Sequence, residues 1–149
     1  MGGDVMGGEV KRSDVFRASI PIRFGDEDHA GIVYFPRFLD FFHCAFEDFF
    51  AANGRPYKQV LDEDLVGWPA VHVDVDFLSP LRFGDMFEVD VWVSKIGTKS
   101  ATFGYLGRAN DKDVAKASIT VACIDMRAFK GIPIPPYYRE MFERHLRTS

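Results

Sequence analysis

The sequence predicts an α+β fold in which one long amphipathic helix lies on a face of an antiparallel sheet. Apolar residues recur at helical spacing most clearly between Pro36 and about Asn53. Period-two alternation marks one strand before that segment and about four after it. Short turn signals separate the later strands, which favours hairpins over crossovers. A run of strands after a single helix argues α+β rather than alternating α/β units.

In the first strand, roughly Phe16 to Arg23, Phe16, Ala18, Ile20 and Ile22 alternate with more polar neighbours. It runs into a glycine-bounded acidic loop, Gly25-Asp26-Glu27-Asp28-His29-Ala30-Gly31. In the helical segment Phe35, Phe38, Leu39, Phe42, Phe46, Phe49 and Phe50 fall in one broad stripe, opposite Arg37, Asp40, Cys44, Glu47 and Asp48. About 18 residues give a helix of about 27 Å. Pro36 suits a first turn and Asn53-Gly54 a helix stop.

Beyond a connector with Pro56 and Pro69, Val71, Val73, Val75 and Phe77 alternate with His72, Asp74 and Asp76. Phe87, Val89, Val91 and Val93 then alternate with Glu88, Asp90, Trp92 and Ser94, and Ser100 to Arg108 follows less cleanly. The stretch from Val114 to Met126 is nearly continuously apolar at Ile119–Ile124, which predicts burial on both faces. A second subunit would supply the cover, so the expectation is an oligomer. Pro135-Pro136 precedes a short helical C-terminus.

The chain has 149 residues, with 18 Lys+Arg against 22 Asp+Glu for a net charge of −4. That length suits one domain, expected over residues 15–149 behind a floppy tail at 1–14. An acidic balance argues against nucleic acid as partner, and no apolar run reaches the roughly 18 residues of a membrane span. The tail lacks a cationic stretch followed by an apolar one, so it does not read as a secretory signal. Two lone cysteines, Cys44 and Cys123, make neither a metal knuckle nor a disulfide framework. The expected compartment is the cytoplasm. With 15 Phe beside 5 Tyr and 2 Trp, the chain predicts a greasy core, a greasy pocket, or both.

The acidic loop is the best place for chemistry. It puts three carboxylates and one imidazole just before a helix N-terminus, where free amides and the helix dipole stabilise developing negative charge. An oxyanion of acyl transfer suits that position, and a nearby carboxylate can act as nucleophile or as general base on water. The plainer alternative is an acidic turn that caps the helix. There is neither a G-x-S-x-G elbow nor a Gly-rich phosphate loop.

The run Phe24-Gly25-Asp26-Glu27-Asp28-His29-Ala30-Gly31-Ile32-Val33-Tyr34-Phe35-Pro36-Arg37-Phe38 resembles the signature of the 4-hydroxybenzoyl-CoA thioesterase family. That signature has an aromatic residue and a D-x-D pair, then A-G-I/V-V-Y/W and an aromatic before a long helix. The resemblance implies a hotdog fold, a five-stranded antiparallel sheet wrapped around one helix, in an obligate oligomer. It implies an acyl-CoA thioesterase without cofactor or metal, a homodimer or homotetramer with its sites at subunit interfaces.

On that resemblance Asp28 matches the catalytic carboxylate, which attacks the thioester carbonyl or activates water. The amides of Tyr34 and Phe35 match the groups that polarise the carbonyl. Ala30-Gly31 match the tight turn beside the acyl group, and Asp26 matches the structural first acid of the pair. His29 stands where many relatives carry a small residue or proline, so it tunes Asp28, lines the pocket or faces water. Lys99 and Ser100, in the turn Lys95–Ser100, match contacts to the nucleotide end of CoA, although Gly97 and Thr98 stand where some relatives carry arginine.

Trp68 stacks on an aromatic acyl group, plugs a long channel or packs as core. His72, Asp74 and Asp76 share one strand face; they could ligate a divalent metal, but a polar or interfacial face is preferred. Glu47, on the polar side of the helix, is the backup catalytic acid. The rival functions are a hotdog dehydratase or hydratase and a hotdog protein that binds acyl-CoA without cleaving it. The acyl group, and CoA against carrier-protein thioester, stay open.

Overall fold

The computed structural model describes residues 15–147; the expected tail at 1–14 lies outside the described residues. Strand β1 (Phe16–Pro21) leads through a 3-10 turn at Phe24–Asp26 to helix α1 (Arg37–Ala52) and a short α2 (Tyr57–Asp62). Then come β2 (Val66–Gly67), β3 (Ala70–Phe77), β4 (Met86–Ile96), β5 (Ser100–Ala109) and β6 (Lys112–Ala122). The chain closes with β7 (Ile124–Asp125), β8 (Lys130–Gly131) and α3 (Pro136–Glu143). Five strands form one antiparallel sheet in the order β1-β4-β5-β6-β3, and β2-β7-β8 form a second, small sheet.

Helix α1 lies across the large sheet because its phenylalanines have only that surface to leave water for. Phe38, Phe41, Phe42, Ala45, Phe46, Phe49 and Phe50 are buried, facing Phe87, Val89, Val91 and Val93 of β4 and Phe103 and Tyr105 of β5. Rings meet edge-on: Phe38 with Phe87 at 5.6 Å, Phe46 with Phe103 at 5.0 Å and Phe49 with Phe103 at 5.4 Å between centroids. Burying each such side chain contributes about 1.5–3 kcal/mol, and an edge-on pair adds about 0.5–1.5 kcal/mol. The Phe count is thus largely a helix–sheet core.

The buried stripe is rotated from the expected one. Phe41 and Ala45 belong to it, whereas Phe35, 62% exposed, precedes the helix and Leu39 lies on its flank. The apolar run at 119–124 is not one strand covered on both sides. It spans the end of β6 and the start of β7, with the chain leaving the large sheet at buried Cys123. The second sheet was not foreseen, because strands of two residues carry no period.

Helix α3 closes the end of the core. Its Phe142 is buried against Phe50, Trp68 and Phe103. The segment after α3 continues the sheet beyond β1: the Val93 amide donates to the His145 carbonyl at 2.9 Å, and the Arg147 amide donates to the Val93 carbonyl at 2.7 Å.

Strand β3 is an edge, exposed along almost its whole length. Phe77, itself exposed, touches Phe35 and Phe38, at 6.2 and 5.3 Å between centroids. His72, Asp74 and Asp76 share the other face, Asp74 and Asp76 lying across from Ser118 and Lys116 of β6. Among the described residues no three His, Cys, Asp or Glu side chains converge as a metal site.

Candidate functional site

The loop between β1 and α1 folds on its own carboxylates. Asp26 accepts the Arg23 amide at 2.9 Å and so closes the 3-10 turn. Glu27 accepts the Phe83 amide at 2.8 Å, which ties the loop to the β3–β4 connection. Asp28 accepts the Ala30 amide through Oδ1 at 2.8 Å, its own amide donates to the Ile32 carbonyl at 2.9 Å, and Gly31 donates back to the Asp28 carbonyl at 3.1 Å. This tight turn needs Gly31 at φ +75°, where a side chain would strain the backbone. Asp28 Oδ2 keeps no partner among the described residues, and His29 beside it is exposed.

The amides at the helix start are not equivalent. Tyr34 donates to the Asp26 carbonyl at 3.1 Å, so its N–H is already committed. The Phe35 amide has no acceptor among the described residues, and Pro36 offers none. Of the two amides expected to serve a carbonyl, the fold of the acidic turn engages that of Tyr34 and leaves that of Phe35 open.

A cavity of about 450 Å³ opens beside α1, within the size range of small-molecule sites. Its walls are Leu39, His43 and Phe46 from α1, Tyr57 and Leu61 from α2, and the stretch Gly67-Trp68-Pro69-Ala70. Val73, Tyr105, Ile119 and Val121 form the sheet side, and Ile124, Met126 and Phe129 form the rim. Trp68 packs as core, 5% exposed against Phe50 and Phe142, and also lines this space.

The polar groups at the wall come chiefly from three rings. His43 Nε2 and Glu47 Oε2 meet at 2.8 Å, one helical turn apart on α1. The Tyr57 ring stands perpendicular to His43 at 5.9 Å. Burial first, and the Glu47 charge second, push the Tyr57 hydroxyl up to about 12, so it is a neutral donor at ordinary pH. Burial raises the Tyr105 hydroxyl as well, with Tyr57 adding to it. The sequence reading missed His43 and Tyr57 as site residues; the (i, i+4) spacing of His43 and Glu47 was the available signal.

Lys99 and Ser100 lie at the β4–β5 turn, away from the acidic loop in sequence. The turn is pinned by Arg139 of α3, whose Nη2 donates to the Gly97 carbonyl at 2.7 Å, and by the Cys123 amide on the Lys99 carbonyl at 2.8 Å. The Lys99 stem passes Gly131, and Lys99 and Lys130 are both exposed.

Comparison with known proteins agrees with this fold. The thioesterase-like superfamily model matches residues 22–142. The 1,4-dihydroxy-2-naphthoyl-CoA hydrolase of Nostoc punctiforme is 32% identical over 128 residues, covering 86% of each chain. Acyl-CoA thioesterase YbgC of Haemophilus influenzae is 25% identical over 131 residues, covering 87% of this chain and 96% of its own. A thioesterase superfamily structure from Jannaschia sp. is 25% identical with a TM-score of 0.86, covering 89% of this chain and 94% of that one. The five strands wrapped on one helix are the hotdog fold.

Proposed function

The chain belongs to the thioesterase-like superfamily and hydrolyses acyl-CoA thioesters, and we propose that Asp28 is its catalytic carboxylate and a ring-bearing acyl group its substrate. One observation carries the assignment: Asp26 and Glu27 each spend an oxygen tying the loop to chain outside it, at Arg23 and Phe83, whereas Asp28 bonds only within its own turn, to the Ala30 amide. Asp26 and Glu27 build the loop that presents it.

The chemistry follows from these positions. Oδ2 of Asp28 attacks the carbonyl carbon, or takes a proton from a water that attacks. The carbonyl oxygen gains negative charge, which the free Phe35 amide and the N-terminus of α1 stabilise. Collapse breaks the C–S bond, and CoA leaves as a thiolate that then takes a proton. By the direct route the acyl-aspartate left behind is hydrolysed by water. A thiolate leaves readily, so no Ser-His-Asp arrangement is required.

The apolar cavity suits the acyl group, and its aromatic walls favour a ring. The naphthoyl substrate named for the Nostoc relative is of that kind. Lys99 and Ser100, with Lys130 beside them, take the phosphates of the nucleotide end, and His29 and Gly31 flank the thioester. Free Cys44 and Cys123 favour a reducing cytoplasm.

The working unit is a homodimer joined along the β3 edges. Antiparallel self-pairing centred on Val73 sets His72 of each copy opposite Asp74 of the other. Centring on Asp74 sets like charges face to face, and cross-strand charge pairs favour the first register. That register also sets Phe77 of one copy opposite Pro69 of the other. The loop bearing Asp28 and Phe35, which contacts Phe77, then meets the mouth of the second copy's cavity.

The test is CoA release from a panel of benzoyl, hydroxybenzoyl, naphthoyl, short-chain and long-chain thioesters, wild type beside Asp28→Asn. Release is followed by thioester absorbance, because Cys44 is exposed. Turnover falling about 10²-fold or more in the variant supports the assignment, on the scale of losing a group that acts only in the transition state. Turnover that survives overturns it.

A further inference from the structure

We infer that His43, oriented by Glu47, selects acyl groups that carry a hydroxyl on the ring. This rests on the reading of the cavity as the acyl site. The cavity is otherwise walled by side chains such as Leu39, Phe46, Leu61, Val73 and Ile119, so a polar group entering it has few places to bond. His43 and Tyr57 supply those places side by side, from two different helices.

The pairing decides what His43 offers. An ionised Glu47 only accepts, so the neutral imidazole carries its proton on Nε2, where the 2.8 Å contact lies. Nδ1 is left as an acceptor, and no described residue claims it. A phenolic O–H donates to Nδ1, while the neutral Tyr57 hydroxyl donates to the phenolic oxygen. A protonated imidazole serves a phenolate equally well, by donating from Nδ1. An acyl ring without the hydroxyl leaves these groups to water. This also gives Glu47 a role other than that of backup catalytic acid, since its carboxylate is engaged with the imidazole it orients.

His43 is half-exposed, so the discrimination is that of one hydrogen bond that water still reaches, about tenfold rather than the 10⁴-fold of a sealed pocket.

The test compares kcat/KM for 1-hydroxy-2-naphthoyl-CoA and 2-naphthoyl-CoA, which differ only in the hydroxyl, in wild type, His43→Leu and His43→Gln. Wild type should favour the hydroxylated ester about tenfold. His43→Leu should bring that ratio close to one, and His43→Gln, which keeps an acceptor, should restore part of it. A ratio unchanged in His43→Leu, or an equal fall on both esters, overturns the inference. If wild type cleaves neither ester, the acyl-site reading fails on turnover. The hydroxyl preference is then decided by calorimetric Kd values of the same two esters for wild type and His43→Leu. Loss of the binding ratio in the variant supports the inference, and an equal ratio overturns it.

Discussion

Glu27 accepts the Phe83 amide at 2.8 Å across 56 residues of sequence. That bond holds the carboxylate-bearing loop against the β3–β4 connection, and the Val33 amide, donating to the Leu81 carbonyl at 2.7 Å, holds its other end. Asp28 lies between these two anchors. Glu27→Ala should therefore lower kcat about tenfold by letting Asp28 wander, a loss expected when a reacting group is displaced by less than about 1 Å. Steady-state kinetics with a thermal melt checks this: an unchanged kcat, or a collapse in Tm that accounts for the loss, counts against it.

The edge pairing proposed for β3 makes a charge-swap prediction. His72→Asp places an acid opposite Asp74 of the second copy and should raise the dimer Kd at least about tenfold, given that like charges directly opposite destabilise a sheet pair. Adding Asp74→His should bring association back. Sedimentation velocity at low salt reads both. Failure of the double variant to recover would reject the register centred on Val73.

Trp68 Nε1–H is buried and has no acceptor among the described residues. A buried donor left unpaired costs about 1–3 kcal/mol. Trp68→Phe removes that donor while keeping a ring against Phe50 and Phe142, so it should change stability by less than about 1 kcal/mol, far below the usual loss for truncating a core aromatic. A urea denaturation series that shows a loss above about 3 kcal/mol would contradict this.

Gly107 of β5 leaves room for Phe87, whose ring sits where a Cβ on residue 107 would project. Phe87 in turn packs on Phe38, Phe41 and Phe42, so it has nowhere to retreat. Gly107→Ala should destabilise by about 1–3 kcal/mol through overpacking, despite the better strand propensity of alanine. Equilibrium unfolding of the variant measures it; stability equal to wild type would show that the ring can move.

Asp64 carries the pH dependence of the α2–α3 contact. The hydrogen-bonded Arg55 guanidinium holds its carboxyl below the ordinary value, and the Tyr138 hydroxyl donates to the same carboxylate. A lowered pKa in the folded state means the unfolded chain binds more protons near its own value of about 3.9. The stabilisation is then fully present above that pH and is lost as pH falls through the folded value. Asp64→Asn should be less stable than wild type at pH 7, and the gap should close toward pH 2. A gap independent of pH would place the effect elsewhere.

What was legible in the sequence was local. The 3.6-residue period of the phenylalanines gave away α1, alternation gave away the long strands, and composition marked the acidic loop; Asp28 within it was singled out only by the resemblance of the run from Phe24 to Phe38 to the family's signature. These features need only neighbours along the chain. Strands β2, β7 and β8 and helix α2 stayed hidden because two to six residues are too few to show a period.

Tertiary structure decided which groups are left over. Tyr34 and Phe35 look alike in sequence, but the Asp26 carbonyl claims one amide and leaves the other. Three adjacent acids look alike until Asp26 closes on Arg23 and Glu27 on Phe83 from a distant turn, while Asp28 bonds only within its own turn. His43 gains meaning only when Tyr57 and the edge of the sheet enclose a cavity beside it. In each case the free partner is set by hydrogen bonds and burial between segments remote in sequence, which no local pattern encodes.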